Sequence, residues 1–455
     1  MREPPEGSTR SKTLSMRRSP SNRNWEISPV PAANLASGVP GKAVGHNPDI
    51  TADEKSDACV VSTNDPNKSG GSTPALAEAR EGRRAAKGNV VLPPAPRTQR
   101  RTSASMRLDG VRGVARRSKE TRFTALMHHI TPDLLTESFR HLKRAAAPGV
   151  DGTTWQDDEH GSAERIVALW DAVQSGRYRA LPSRRVYIPK PNGKQRPLGI
   201  AALEDKIVQQ AVVTVLNAIY EADFLGFSYG FRPGRSQHHA LDALWIGLHA
   251  SKVTGRSQHH ALDALWIGLH ASKVNWVLDA DIQAFFETID HDWMLKFLEH
   301  RIADDRMLRL IRKWLTAGVI EDGARTVSQV GTPQGAVISP LLANIYLHYV
   351  FDLWTHRWRR HEADGDVIVV RYADDSVVGF EQRQDILTFL GDLRTRMAKF
   401  GLQLNEEKTR VLEFGRYAVE RRVRRGQRRP ETFDFLGFTH ICATTRETAA
   451  LPSGD

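Results

Sequence analysis

The sequence predicts an α+β domain behind a long, disordered N-terminal tail, and three observations carry that expectation. From about Phe123, helical segments alternate with short apolar runs of strand length, the pattern of a mixed-sheet domain. Residues 1–118 are instead rich in Pro, Ser, Gly, Asn and Arg with no sustained hydrophobic period, so burial there cannot offset the entropy of ordering. With 455 residues, 40% hydrophobic and 26% charged, the chain can hold two or three domains with a sizeable core. The 64 Lys and Arg outnumber the 53 Asp and Glu, and a net charge of +11 favours a polyanionic partner. Cys59 and Cys442 lie far apart and fit no CxxC pattern, which argues against a disulfide scaffold or a cysteine-based zinc site and for a reducing, cytoplasmic setting. No apolar run approaches the roughly 18 to 20 residues of a membrane span, and the N-terminus lacks a signal peptide's apolar core.

The later part of the tail carries Arg97, Arg100, Arg101, Arg107, Arg112, Arg116 and Arg117, either phosphate contacts or a solvated basic linker. Residues 119–275 form the next division. Within it, Arg185 to Ile200 reads as a hairpin turning at Pro191-Asn192-Gly193, with basic residues at its tip. GRSQHHALDALWIGLHASKV then occupies Gly234 to Val253 and recurs unchanged from Gly255 to Val274, a tandem duplication with a 21-residue offset. Two identical copies are too few for a repeat architecture, and a looped-out copy is expected rather than a longer helix. The paired histidines His238-His239 and His259-His260 are products of the same duplication, not metal ligands.

Residues 276–414 hold the chemistry. The stretch from Val274 to His291 reads as a buried strand ending in carboxylates, with Asp279 and Asp281 on one face. An ionised Asp there is costly unless paired, solvated or bound to a cation. The apolar runs Val367 to Val370 and Val377 to Phe380 flank Tyr372-Ala373-Asp374-Asp375, a hairpin whose tip presents adjacent carboxylates. If the Asp281 strand lies beside that hairpin, three carboxylates converge, and divalent cations, with Mg²⁺ favoured by hard oxygen ligands, would neutralise them. Such a site suits two-metal phosphoryl transfer.

The chain carries, in order, IPKPNGKQRPLGI (Ile188 to Ile200), FSYGFRPGRS (Phe227 to Ser236), LDADIQAFF (Leu278 to Phe286), GTPQGAVISPLLANIYL (Gly331 to Leu347), RYADD (Arg371 to Asp375), GLQLNEEKTR (Gly401 to Arg410) and FDFLGF (Phe433 to Phe438). In this set it resembles the reverse transcriptase/maturase proteins encoded by bacterial group II introns. The motifs occur in the family's order and cover roughly Ala147 to Phe438; YADD alone would be a weak match.

The resemblance implies a right-hand polymerase with fingers and an antiparallel palm sheet flanked by helices. It makes Asp281, Asp374 and Asp375 ligands of two Mg²⁺ ions, with Asp279 accessory. Lys190 and Arg196 would grip the incoming deoxynucleoside triphosphate, Phe285 would lie under the deoxyribose with Phe286 its competitor, and Gln334 would touch template or nucleotide. Lys408 would protonate departing pyrophosphate. Ser339 would cap a helix with Pro340 at its first position and Leu342, Ile345, Tyr349 and Leu353 as its buried stripe. Arg232 and Arg235, and Arg421, Arg422, Arg424 and Arg425 in the division at 415–455, would contact nucleic acid. The implied partners are an intron RNA template and a DNA primer, with splicing and mobility as the setting and a homodimer left open.

Two departures qualify the expectation. The duplication separates the fingers from the palm, and only 17 residues follow FDFLGF, so a thumb is expected to be largely missing. A catalytically impaired RNA-binding remnant and a retron-type enzyme are the alternatives.

Overall fold

The computed structural model describes residues 59–63 and 108–442, apart from residues 160, 190–192, 194, 250–273, 328 and 416. Its first half is mainly helical. Helices α1 (Asp109–Arg117), α2 (Pro132–His141), α3 (Trp155–Glu159) and α4 (Ser162–Gln174) precede a long helix, α5 (Leu203–Tyr220), which packs on both α1 and α2. Thr131 starts α2 by accepting the Leu134 N–H, with Pro132 in the first turn where no amide is missed. The expected tail is corrected here at two places. Strand β1 (Cys59–Thr63) lies inside it, and so does α1, whose Val111 and Ala115 are buried. A single turn of apolar spacing among arginines was too weak a period to read, but α5 supplies the surface it needs.

A four-stranded sheet runs β3-β2-β5-β6. Strands β2 (Ser183–Pro189) and β3 (Gln195–Ile200) form the expected hairpin, and the short pair β5 (Val319–Glu321) and β6 (Ala324–Thr326) extends it through a parallel β2–β5 pairing. Its turn residues Pro191 and Asn192 lie outside the described residues.

The second four-stranded sheet, order β7-β8-β4-β9, is antiparallel throughout. It comprises β4 (Trp276–Ala280), β7 (Val367–Tyr372), β8 (Asp375–Phe380) and β9 (Arg410–Glu413). Its strands are apolar on both faces because both faces are covered. Leu278, Val369, Val378 and Phe380 join one buried cluster with Ile386, Phe389 and Leu393 of α12 (Arg383–Lys399). Val277, Ile368, Val370 and Val377 join another with Ala240, Leu241 and Leu244 of α6 (Gln237–His249). Helix α6 is the first copy of the duplicated segment; the looping expected of a second copy falls at residues 250–273, outside the described residues.

Between the sheets' strands run α7 (Phe285–Thr288), α8 (His291–Glu299), α9 (Asp305–Leu315), α10 (Ser339–Leu347) and α11 (Leu353–His361). A π-helical stretch, His348–Asp352, joins α10 to α11. Every residue of α10 except Pro340 is buried, so the expected single stripe is instead a helix enclosed on all sides. Ser339 is not the expected cap but the first helical residue after Ile338, its hydroxyl drawn instead to Thr332 at 2.7 Å and to the Pro333 carbonyl at 3.0 Å. A last small sheet, β1-β11-β10, holds β10 (Phe433–Phe435) and β11 (Phe438–Cys442), after α13 (Ala418–Arg424). Its register sets Cys59 opposite Cys442, so positions distant in sequence are paired across two antiparallel strands.

Candidate active site

Strand β4 delivers its carboxylates as the apolar run ends. It pairs with β8 from Trp276 opposite Phe380 to Ala280 opposite Ser376, and one further step of that register sets Asp281 level with Asp375. The β7–β8 turn is tight, with Tyr372 paired to Asp375 and Ala373 at φ +58°. A left-handed alanine is strained and persists only where its surroundings over-determine it.

Those surroundings centre on Arg371, which is 1% exposed. Its Nε and Nη2 donate to the two carboxylate oxygens of Asp352 at 2.6 and 2.7 Å. Its Nη1 donates to Asn344 Oδ1 at 3.1 Å and to the Ala373 carbonyl at 2.7 Å, and Nη2 also reaches Ser228 Oγ at 2.6 Å. The segment containing FSYGF runs alongside: Tyr229 N–H donates to the Arg371 carbonyl at 2.8 Å, and Arg371 N–H to the Phe227 carbonyl at 2.9 Å. Gly230 passes so close to the turn that a Cβ there would lie 2.2 Å from the Ala373 nitrogen. Asn344 ties the same glycine down, donating to its carbonyl at 2.6 Å.

The carboxylates sense one another. Desolvation by surrounding protein raises Asp374, the Asp281 charge adds to that, and its own amide, Arg196 and Arg371 oppose it. Asp375 is pushed up to about 7, first by desolvation, then by Asp374, Asp281 and Asp279, against Lys408. Asp279 is raised by desolvation and opposed by Arg410, whose Nη2 lies 3.3 Å from Asp279 Oδ2. Asp281 Oδ2 accepts from Lys408 Nζ at 3.0 Å and from Asn405 Nδ2 at 3.2 Å. Among the described residues, no three His, Cys, Asp or Glu side chains come together at a spacing that could hold a metal ion. The donors are nevertheless all carboxylate oxygens, with Asp374 and Asp375 raised in part by neighbouring negative charge, the donor chemistry of a hard divalent cation.

The sequence pattern described as "Reverse transcriptase (RNA-dependent DNA polymerase)" matches residues 188–440, more than half of the chain. The chain belongs to the reverse transcriptase family. It is 40% identical over 239 residues to protein YkfC of Escherichia coli strain K12, covering 52% of this chain and 58% of YkfC. It is 34% identical over 228 residues to the group II intron-encoded protein LtrA of Lactococcus lactis subsp. cremoris, covering 50% of this chain and 34% of LtrA. An uncharacterised 91 kDa protein in the cob intron of Schizosaccharomyces pombe is 37% identical over 187 residues, 41% of this chain and 20% of that protein. The match thus spans about a third to three-fifths of the two bacterial relatives. The resemblance to group II intron reverse transcriptases is borne out by LtrA's place among these relatives.

The other residues singled out in this reverse transcriptase sequence are distributed unevenly. Arg196, on β3 opposite Ile188, is close enough to Asp374 to lower its pKa. Lys190 lies outside the described residues. The Gln334 carbonyl accepts the Gly199 N–H at 2.7 Å, fastening the hairpin to the loop before α10. Gly331 in that loop, at φ +86°, permits close backbone approach to Glu287, whose carbonyl oxygen would lie 2.9 Å from a Cβ.

Two expectations need correction, those at Phe285 and Arg232. Phe285 is 2% exposed and packs against Tyr346, so it is a core ring, whereas Phe286 is only partly buried. Arg232 is 4% exposed, paired with Glu221 at 2.9 Å and donating to the carbonyls of Leu225 and Ser228. Arg235 donates to the Gly226 carbonyl and lies over the Tyr229 ring. Arg232 is thereby committed to holding its own loop, while Arg235 keeps part of its surface exposed. The sequence reading missed Arg371 and Asp352 as a pair, although each was a lone charge inside an apolar run (VIVVRY and LHYVFDLW), the signature of a buried partner.

Proposed function

We propose that this chain is an RNA-directed DNA polymerase of the kind encoded by group II introns, extending a DNA primer on an RNA template with deoxynucleoside triphosphates. The observation that carries the reading is the β4–β8 register, which brings Asp281 level with Asp375 beside Asp374, where its charge helps raise both. On this reading the β7-β8-β4-β9 sheet is the palm and the β2–β3 hairpin belongs to the fingers. Asp281, Asp374 and Asp375 would hold two Mg²⁺ ions, which when bound supply charge neutralisation and a more acidic 3′-hydroxyl. Asp281 would exchange its contact with Lys408 for that role. Arg196, with Lys190, would steady the triphosphate, and Gln334 would contact the template or nucleotide. Phe286 replaces Phe285 as the ring under the deoxyribose, since only Phe286 retains exposed surface. Intron splicing and mobility are the setting that likeness to LtrA supports.

The test is primer extension by the full chain on an annealed RNA template and DNA primer in Mg²⁺. Wild type extends, and Asp374→Ala abolishes extension while retaining fold and RNA binding. Extension by that variant at the wild-type rate overturns the site. A wild type that binds RNA and extends nothing would be the RNA-binding remnant.

A further inference from the structure

The loop from Gly331 to Ile338, which carries Gln334, is fastened to distant parts of the chain at several places. Thr332 N–H donates to the Phe286 carbonyl at 2.7 Å, and the Gln334 carbonyl accepts the Gly199 N–H of β3. Gly335, at φ +113°, crosses that strand so closely that a Cβ would lie 3.1 Å from the Gly199 carbonyl oxygen. A further fastening is made by a side chain. Gln209 of α5 is 3% exposed, and its Oε1 accepts the Val337 N–H at 3.0 Å and the Ile338 N–H at 3.4 Å. These amides lead into α10, which opens after Ile338 with no side-chain cap there. Gln209 thus supplies, from another helix, an acceptor of the kind that a capping residue supplies. One turn earlier on α5, Asp205 accepts from the Tyr178 hydroxyl and from the Leu181 N–H at 3.0 Å, and Trp314 Nε1 donates to that hydroxyl at 2.8 Å. Gln209 therefore reaches the loop from an anchored base.

We infer that Gln209 is a positioning residue for the incoming nucleotide, acting through the loop that presents Gln334. The inference rests on the polymerase reading above and commits Gln334 to the nucleotide rather than the template. Two backbone fastenings favour that choice: β3 bears Arg196, assigned to the triphosphate, and Phe286 is the ring assigned to the deoxyribose. Both persist without Gln209, so its loss loosens the α10 end of the loop and leaves the fold in place. A contact that holds the nucleotide alike before and during reaction sets KM rather than kcat.

The experiment measures single-nucleotide extension of an annealed RNA template and DNA primer over a deoxynucleoside triphosphate series, using the full chain. Gln209→Met keeps the side chain's length without its amide oxygen, and Gln209→Glu restores an oxygen at the same reach. Gln174→Met is the control, since Gln174 Nε2 donates to the Met127 and Ile130 carbonyls among the N-terminal helices. Gln209→Met should raise the nucleotide KM by about fivefold, the equivalent of one lost hydrogen bond, with kcat and template-primer affinity held within about twofold. Gln209→Glu and the control should keep the wild-type KM. An unchanged KM in Gln209→Met overturns the inference, as does an equal rise in either other variant or an equal loss of kcat or template-primer affinity. Amide hydrogen exchange of residues 331–338, on the same preparations, should quicken in Gln209→Met and not in Gln209→Glu. Exchange as slow in Gln209→Met as in wild type also overturns the inference. A wild type that extends nothing defeats the polymerase reading instead, and the exchange measurement still decides whether Gln209 holds the loop.

Discussion

Arginine is used in opposite ways at the two ends of β4. Beneath the β7–β8 turn, Arg371 gives its N–H groups to Asp352, Asn344, Ser228 and the Ala373 carbonyl, all buried. At the other end, Arg421, Arg422 and Arg425 crowd one glutamate, and Arg421 and Arg422 leave N–H groups unmatched. A saturated arginine has nothing left for a ligand and serves as scaffold, fixing a strained turn that carries two carboxylates. An undersupplied cluster is poorly satisfied by its own protein, and its unmatched N–H groups are buried away from solvent. Position in sequence does not separate these roles; the number of acceptors around each guanidinium does.

The largest effect expected from breaking this contrast is at Arg371. Arg371→Leu leaves Asp352 buried without its counter-ion and should cost about 3 to 5 kcal/mol in urea unfolding. Without denaturant, where the variant remains folded, primer extension should still be lost because the Ala373 carbonyl has no anchor. Arg422→Leu, at the undersupplied site, should change stability by less than about 1 kcal/mol. Equal costs at the two sites would erase the distinction.

Much of the scaffold was legible because it is local. The VIVV and VVGF runs around YADD predicted a hairpin, and β7 and β8 span Val367–Tyr372 and Asp375–Phe380. The strand ending near Asp281 was legible for the same reason, since an apolar run closing on carboxylates has few other readings. What escaped was what depends on distant segments. Arg232 looks like a basic surface residue until Glu221 and two loop carbonyls surround it. Phe285 and Phe286 are indistinguishable as adjacent rings until Tyr346 packs against the first. Helix α1 requires α5, more than eighty residues later, to bury Val111 and Ala115. The catalytic assignment was carried by ordered motifs, while the partners of those residues belong to tertiary packing.

A second, smaller effect sharpens the scaffold side through pH. His348 is held down to about 3 by burial first, then by the charges of Arg371, Lys119 and Arg232. Asp352 lies 3.9 Å from its Nδ1, and the rings of Phe224 and Tyr349 pack against it. The folded protein therefore keeps this imidazole neutral, while the unfolded chain protonates it near the ordinary 6.5. Stability from this group is full above about pH 6.5 and is lost as pH falls toward 3. Between about pH 6.5 and about pH 4.5 the loss is about 2 to 3 kcal/mol. Other groups titrate in the same window, so the quantity to measure is the difference between wild type and His348→Phe by urea unfolding at each pH. That difference should move in the variant's favour on acidification, and a flat difference would show that His348 is protonated in the folded state.

The smallest effect is expected where an ion pair is exposed. Lys408 and Asp281 meet at 3.0 Å, close to the 2.6 Å of Arg371 and Asp352, yet their side chains are 64% and 23% exposed against 1% and 0%. Water solvates Lys408 in both folded and unfolded chains, so forming the pair returns little of what ordering the side chain costs. Lys408→Gln should therefore change unfolding free energy by less than about 1 kcal/mol, with the difference shrinking further as salt screens the pair. The same substitution tests catalysis apart from stability. If Lys408 passes a proton to departing pyrophosphate, extension slows by roughly a hundredfold or more while the urea midpoint barely moves. A cost near that of Arg371→Leu would mean that the pair is a structural clasp on Asp281, and that its closeness, not its exposure, sets what it is worth.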